Sequence, residues 1–232
     1  MGDRRYVGTL YRGPDPVSAA AIVLLPDWRG QSSLAGDHAG YLAGLGCTVA
    51  IADLYGDGFN PDNPEQVGPM VRRLLDKRAD GVDALAACVA RLRQEVAPRT
   101  PVVCLGYSAG GMVVLDYARS GASIAGFILC SALLKTAAPG MDAHIEAPVL
   151  ILQGTQDQVS PMETIHAVIA EMDAAGNDVR FELYSQTHHA FDNPEAGTDP
   201  AARLVYSSRS AHRARHAIAH FIAEVAGQAR ED

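Results

Sequence analysis

The 232-residue sequence has only four cysteines, at positions 47, 88, 104 and 130, and none are spaced as a C-x-x-C metal or redox pair. Cys104 and Cys130 fall in apolar runs and Cys88 on an apolar helical stripe. That is the setting of reduced core thiols and points to a cytoplasmic protein. Basic residues are not in excess. The net charge is −8, with no local Lys/Arg cluster, which argues against nucleic acid and anionic membrane as partners. No apolar run is long enough to span a bilayer: the longest early one, residues 19–25, stops at Pro26-Asp27. No signal-like apolar region follows the N-terminus, and Tyr6 breaks the myristoylation pattern. Neither G-x-G-x-x-G nor a P-loop lysine occurs, and there is no repeat, low-complexity tract or linker. What remains is the composition of one globular domain over residues 1–232, long enough to bury a sizeable core.

Apolar runs at 21–25, 48–52, 102–105, 124–130 and 149–152 read as strands buried on both faces, and 179–184 alternates as a strand. Residues 6–12 read as an edge strand. Helical patterns occupy 34–45, 70–96 with a break near Gly81, 112–117, and 201–226. Ser160-Pro161-Met162-Glu163 opens a further helix, to about 175, with the form of a capping box. Residues 56–69, with three prolines and three glycines, read as a long irregular loop. Strands alternating with helices predict an α/β fold: a mainly parallel sheet with helices on both faces and right-handed crossovers.

The chemistry centres on residues 101–111, Pro-Val-Val-Cys-Leu-Gly-Tyr-Ser-Ala-Gly-Gly. A buried strand, then G-x-S-x-G, then a helix is the context of a nucleophile elbow. The serine must stand clear of a sharp turn, and its neighbours must be small because strand and helix backbones nearly touch. Ser108 also opens a helix, so the Ala109 N–H points where an oxyanion would form. A serine needs a base, and the base an orienting acid. In this fold they follow in the order Ser, Asp or Glu, His, each beyond the end of a strand. Asp157 lies just past 149–152, and His188 and His189 just past 179–184.

At these residues the chain resembles the dienelactone hydrolase family of α/β-hydrolases. Residues 46–55 are similar to the family's second core strand and its Pro-Asp-Leu-Tyr signature, with Ala52 in place of proline. Residues 106–111 match its elbow, where the best-known members carry cysteine. Residues 154–159 match its acid loop, and His189-Ala190-Phe191 its His-small-Phe ending, which selects His189 over His188. The resemblance implies an α/β-hydrolase fold and a second oxyanion donor, the Trp28 N–H. It also implies that Asp27 takes the place of an acidic residue that contacts the resting nucleophile. The family's carboxylate-gripping arginine past the histidine is replaced by Asn193, and Arg72 or Arg73 is the candidate to stand in for its other substrate arginine.

The expected protein is a serine hydrolase of small esters or lactones with no cap domain and no cofactor or metal. Ser108, His189 and Asp157 are its expected catalytic residues, and it is a monomer or weak homodimer. Trp28, Tyr107 and Phe59 are the expected apolar walls. Thioester hydrolysis or acyl transfer on the same residues is the alternative within enzymes, and a non-catalytic ligand-binding protein the alternative outside them. Asp53, Asp57 and Asp192 are other candidate acids. His212, His216 and His220 recur every four residues but face away from the apolar stripe of the last helix, and are read as a solvated face.

Overall fold

The computed structural model describes residues 7–14, 19–61, 63–138 and 144–231. Seven strands form one sheet in the order β1-β3-β2-β4-β5-β6-β7. They are β1 (Thr9–Tyr11), β2 (Ala21–Leu25), β3 (Thr48–Ile51), β4 (Val102–Tyr107), β5 (Gly126–Cys130), β6 (Val149–Gly154) and β7 (Val179–Tyr184). All neighbours run parallel except the edge pair β1–β3. The start of the expected edge strand, Tyr6, lies outside the described residues.

β2, β4, β5 and β6 are buried along their whole length, as unbroken apolar runs require when helices cover both faces. Along β4, Val102 and Cys104 pack on one side with α3 (Arg78–Arg93), α4 (Ala109–Arg119) and α5 (Met162–Ala174). Val103 and Leu105 pack on the other, with α1 (Ser33–Gly44) and α6 (Ser208–Glu231). Each fully buried Leu or Val stabilises by about 1.5–3 kcal/mol. Together these two layers fix the strand ends on which the site is built. Among the described residues no helix is long and apolar enough to cross a membrane.

Several boundaries differ from expectation, each for a physical reason. The supposed loop 56–69 contains the start of α2 (Pro64–Asp76). The Asn63 side chain accepts from the Gln66 N–H at 3.1 Å, and Pro64 supplies a φ already suited to a first turn. The break before α3 falls at Lys77 and not at Gly81. A Cβ on Gly81 would lie 3.2 Å from Val113 Cγ2, so this glycine serves the close approach of α3 to α4. The last helix starts at Ser208, because the Val205 and Ser207 N–H groups donate to the carbonyls of His189 and Phe191. Ser160 does not cap α5. Its hydroxyl donates to Ala132 O and accepts from Leu134 N–H, both at 2.8 Å.

Candidate active site

β2 is flanked by β3 on one side and β4 on the other, so the connections leaving β2 and β4 diverge at their carboxyl ends. A crevice opens at such a switch point. Asp27, Trp28 and Arg29, beyond β2, line one side of it, and Ser108 and Ala109, beyond β4, the other.

The chain passes from β4 into α4 through Ser108, at φ 48° and ψ −114°. For a residue with a side chain this conformation costs on the order of 1–3 kcal/mol and needs support. Ser108 O accepts from the N–H groups of Leu133 (2.8 Å) and Gly111 (3.1 Å). The turn is tight enough that a Cβ on Gly106 would lie 2.6 Å from Gly110 O, and one on Gly110 would lie 2.5 Å from Leu25 O.

β6 delivers Asp157 and β7 delivers His189, both 3% exposed. Asp157 Oδ1 accepts from the N–H groups of Val159 (2.7 Å) and Ser160 (2.9 Å). Its Oδ2 lies 2.7 Å from His189 Nδ1 and accepts from Gln153 Nε2 at 2.9 Å. An ionised carboxylate only accepts, so the proton of this bond sits on Nδ1, leaving Nε2 as an acceptor. Ser108 Oγ is 2.9 Å from that Nε2. The next residue, Ala190, at φ 58°, is held by its N–H donating to Ser131 Oγ at 2.8 Å. His188 lines a separate depression with Gln156 and Gln186.

The N–H groups of Ala109 and Trp28 have no acceptor among the described residues. The Trp28 carbonyl accepts from Tyr55 Oη at 2.7 Å, which anchors the loop. Burial, with Asp27 nearby, pushes the Tyr55 phenol up, so it stays a donor. Asp27 makes no hydrogen bond to Ser108 among the described residues. Both its carboxylate oxygens bind the Arg29 guanidinium, whose Nη1 lies 2.6 Å from Glu195 Oε2. Burial opposes the Arg29 charge, but Asp27 and Glu195 outweigh it and its pKa is raised.

The cleft holds about 530 Å³. Trp28 and Tyr107 line it, together with Val67 and Val71 of α2, Leu133, Val159, Leu204 and Arg203. Phe59 does not: it is 40% exposed and meets Tyr55 edge-on. Arg72 is exposed outside the cleft, and Arg73 lines a small depression beside Met70. Asn193 is buried, and its Oδ1 accepts from Glu195 N–H to cap the 3₁₀ turn Pro194–Ala196. Val67, Met70, Val71 and Leu74 follow helical spacing, the signal that would have placed α2 at the cleft. The acid bonded to His189 is Asp157, although Asp192 also lines the cleft. Asp53 accepts from the N–H groups of Val7, Tyr55, Gly56 and Gly58. Asp192 pairs with His38, and Asp57 sits in the irregular stretch before α2 at φ 60°.

A larger cavity, of about 600 Å³ between β1 and α3, is lined by Asp53 but not by Ser108, Asp157 or His189. Among the described residues no three His, Cys, Asp or Glu side chains are placed to share a metal ion. His212 and His216 are exposed, their Nε2 atoms 3.3 Å apart.

The sequence matches the dienelactone hydrolase family over residues 7–226. The solved structure of m3DLH is 30% identical, with a TM-score of 0.89 over 97% of this chain and 94% of that one. A dienelactone hydrolase-like promiscuous phosphotriesterase from metagenomic libraries superposes with the same score and coverage at 24% identity. A thermophilic esterase from the planctomycete Thermogutta terrifontis, solved with propionate bound, is 17% identical. Its TM-score is 0.64, over 97% of this chain and 91% of that one. No curated protein matches the sequence. The chain belongs to the dienelactone hydrolase family, and with it to the hydrolases that act on ester bonds.

Proposed function

We propose that this member of the dienelactone hydrolase family cleaves small esters or lactones through a serine-bound acyl intermediate. Ser108 is the nucleophile, His189 the base and Asp157 the orienting acid. The observation that carries the reading is the unbroken hydrogen-bond chain from Ser108 Oγ through both ring nitrogens of His189 to Asp157 Oδ2, at 2.9 and 2.7 Å.

Ser108 Oγ attacks the carbonyl carbon as its proton passes to His189 Nε2. The imidazolium is stabilised by the Asp157 carboxylate against Nδ1. The carbonyl oxygen, now an oxyanion, is received by the N–H groups of Ala109 and Trp28. Their lack of other acceptors supports this role. The proton then moves from Nε2 to the leaving oxygen. Water, deprotonated by the same nitrogen, releases the acid and restores Ser108.

A 530 Å³ apolar-walled cleft suits a small molecule. Arg29 is already ion-paired and Arg72 lies outside the cleft, which leaves Arg203 as the lining arginine without an ion pair among the described residues. Labelling with a fluorophosphonate, followed by peptide mapping, tests the reading. One adduct on Ser108 is expected; an unlabelled protein, or an adduct elsewhere, overturns it.

A further inference from the structure

We propose that Gln153 is a positioning residue for this reaction, aiming the Asp157 carboxylate at His189 and tying it to the same backbone segment that holds Ser108 and His189. The proposal rests on the assignment of Ser108, His189 and Asp157 given above.

Gln153 lies near the end of β6 and is fully buried, so its amide must find partners inside the protein. Oε1 accepts from Ala132 N–H at 3.0 Å, and Nε2 donates to Ala132 O at 3.0 Å and to Asp157 Oδ2 at 2.9 Å. The reverse amide orientation would set an oxygen against two acceptors and an NH₂ against a donor, so the partners dictate this one. The carboxylate then receives four donors, two on each oxygen. None of its freedom to rotate is left, and the lone pair facing His189 is fixed.

An apolar side chain of similar length would fill the space and leave Ala132 O with Ser160 Oγ, but it would take the acceptor from the buried Ala132 N–H. What glutamine adds for the site is a donor aimed at Oδ2. Its other end reaches a segment with two further duties. Ser131 Oγ accepts from Ala190 N–H beside His189, and Leu133 N–H donates to Ser108 O. Segment 131–134 therefore bonds to the loops of nucleophile, base and acid at once; Ser160 ties it to the acid loop, and the Gln153 side chain ties it to the Asp157 carboxylate itself.

Steady-state kinetics of Gln153→Glu and Gln153→Met across pH, on a short-chain ester, tests this. Asp157 is the ionisable group bonded to position 153, and His189 lies beyond it. A protonated glutamic acid still donates to Oδ2, but two carboxylates in contact resist ionising together. Gln153→Glu should therefore show a fall in kcat with rising pH that the wild type lacks, with KM little changed. Gln153→Met should lose roughly 10- to 100-fold in kcat at every pH, the scale of a small misplacement of a catalytic group. Wild-type kcat and pH profile in both variants overturns the inference, as does a loss confined to KM or to thermal stability. If one variant fails to fold, the other decides; failure of both marks a structural role and overturns it too. Should Ser108→Ala be inactive while the Gln153 variants behave as wild type, only this inference falls. Activity in Ser108→Ala removes the reading beneath it.

Discussion

His38 stacks face to face on Tyr107, their ring centroids 4.2 Å apart and their planes 5° from parallel. The same imidazole places Nε2 3.1 Å from Asp192 Oδ2, three residues beyond His189. One side chain of α1 thus supports both the residue before Ser108 and the loop that carries His189. His38→Ala should cost about 1–3 kcal/mol, combining a stacked pair worth ~0.5–1.5 with a partly buried carboxylate left without its partner. Thermal unfolding reads this as a drop of about 2–4 °C per kcal/mol in a protein of this size. An unchanged Tm would mean that the contact contributes nothing.

Two glycine substitutions should separate close packing from helix propensity. At Gly110 an added Cβ would meet backbone oxygens of Leu25 and Pro26 at 2.5 Å, and neither can move away without shifting β2. Gly110→Ala should lose about 1–3 kcal/mol or more and most activity. At Gly227, on α6, nothing lies within 4 Å of the added atom. Gly227→Ala should gain up to ~1 kcal/mol with activity intact. Denaturant midpoints and ester turnover of the two variants check the contrast.

The thiols give a pH dependence. Burial pushes Cys47 and Cys88 up to about 11, and Cys104 and Cys130 well above the ordinary thiol range. Unfolded thiols ionise near ~8.5, so above that pH the unfolded chain binds fewer protons than the folded one. This contribution to stability is complete below pH ~8.5 and is lost as pH rises toward 11. The urea midpoint should be lower at pH 10 than at pH 8. At pH 8 a disulfide-exchange reagent should label the native thiols slowly and all four rapidly after unfolding.

Much of this site was legible because its carriers are short buried strands with abrupt ends. β2, β4, β6 and β7 are read to within a residue or two, and the small residues around Ser108 announce the turn that requires them. Misreadings arise where a long-range contact decides the local structure. The polar and Gly/Pro-rich composition of 56–69 outweighs the Asn63-Pro64 helix start, and so hides Val67 and Val71. Ser160 looks like a cap, yet its hydroxyl serves Ala132 and Leu134, a partnership invisible without the sheet. Gln153 falls in an apolar strand with no local mark of its bond to Asp157. Asp27 keeps the expected place in the chain, but Arg29, two residues on, takes both its oxygens.

Substrate length follows from the cleft. Its walls are Val67, Val71, Leu133 and Leu204, and among the described residues no cap lies over them. Each added CH₂ that is buried contributes ~0.8 kcal/mol, so kcat/KM should climb over the shortest acyl chains. It should level off before about eight carbons, once further methylenes remain in water. Arg203, on the cleft wall, should not affect this series, so Arg203→Ala should leave neutral esters unchanged. Efficiency still rising on longer chains would mean a deeper acyl site than this cleft provides.

The central claim is that Ser108 is the nucleophile, and Ser108→Ala measured on a short-chain ester tests it most directly. On the proposed reading the hydroxyl serves chemistry and not packing, so circular dichroism and Tm should show a folded protein. Its kcat should fall by on the order of 10³ or more, the loss expected when a triad nucleophile is removed. A folded Ser108→Ala protein with near-wild-type turnover would contradict the account.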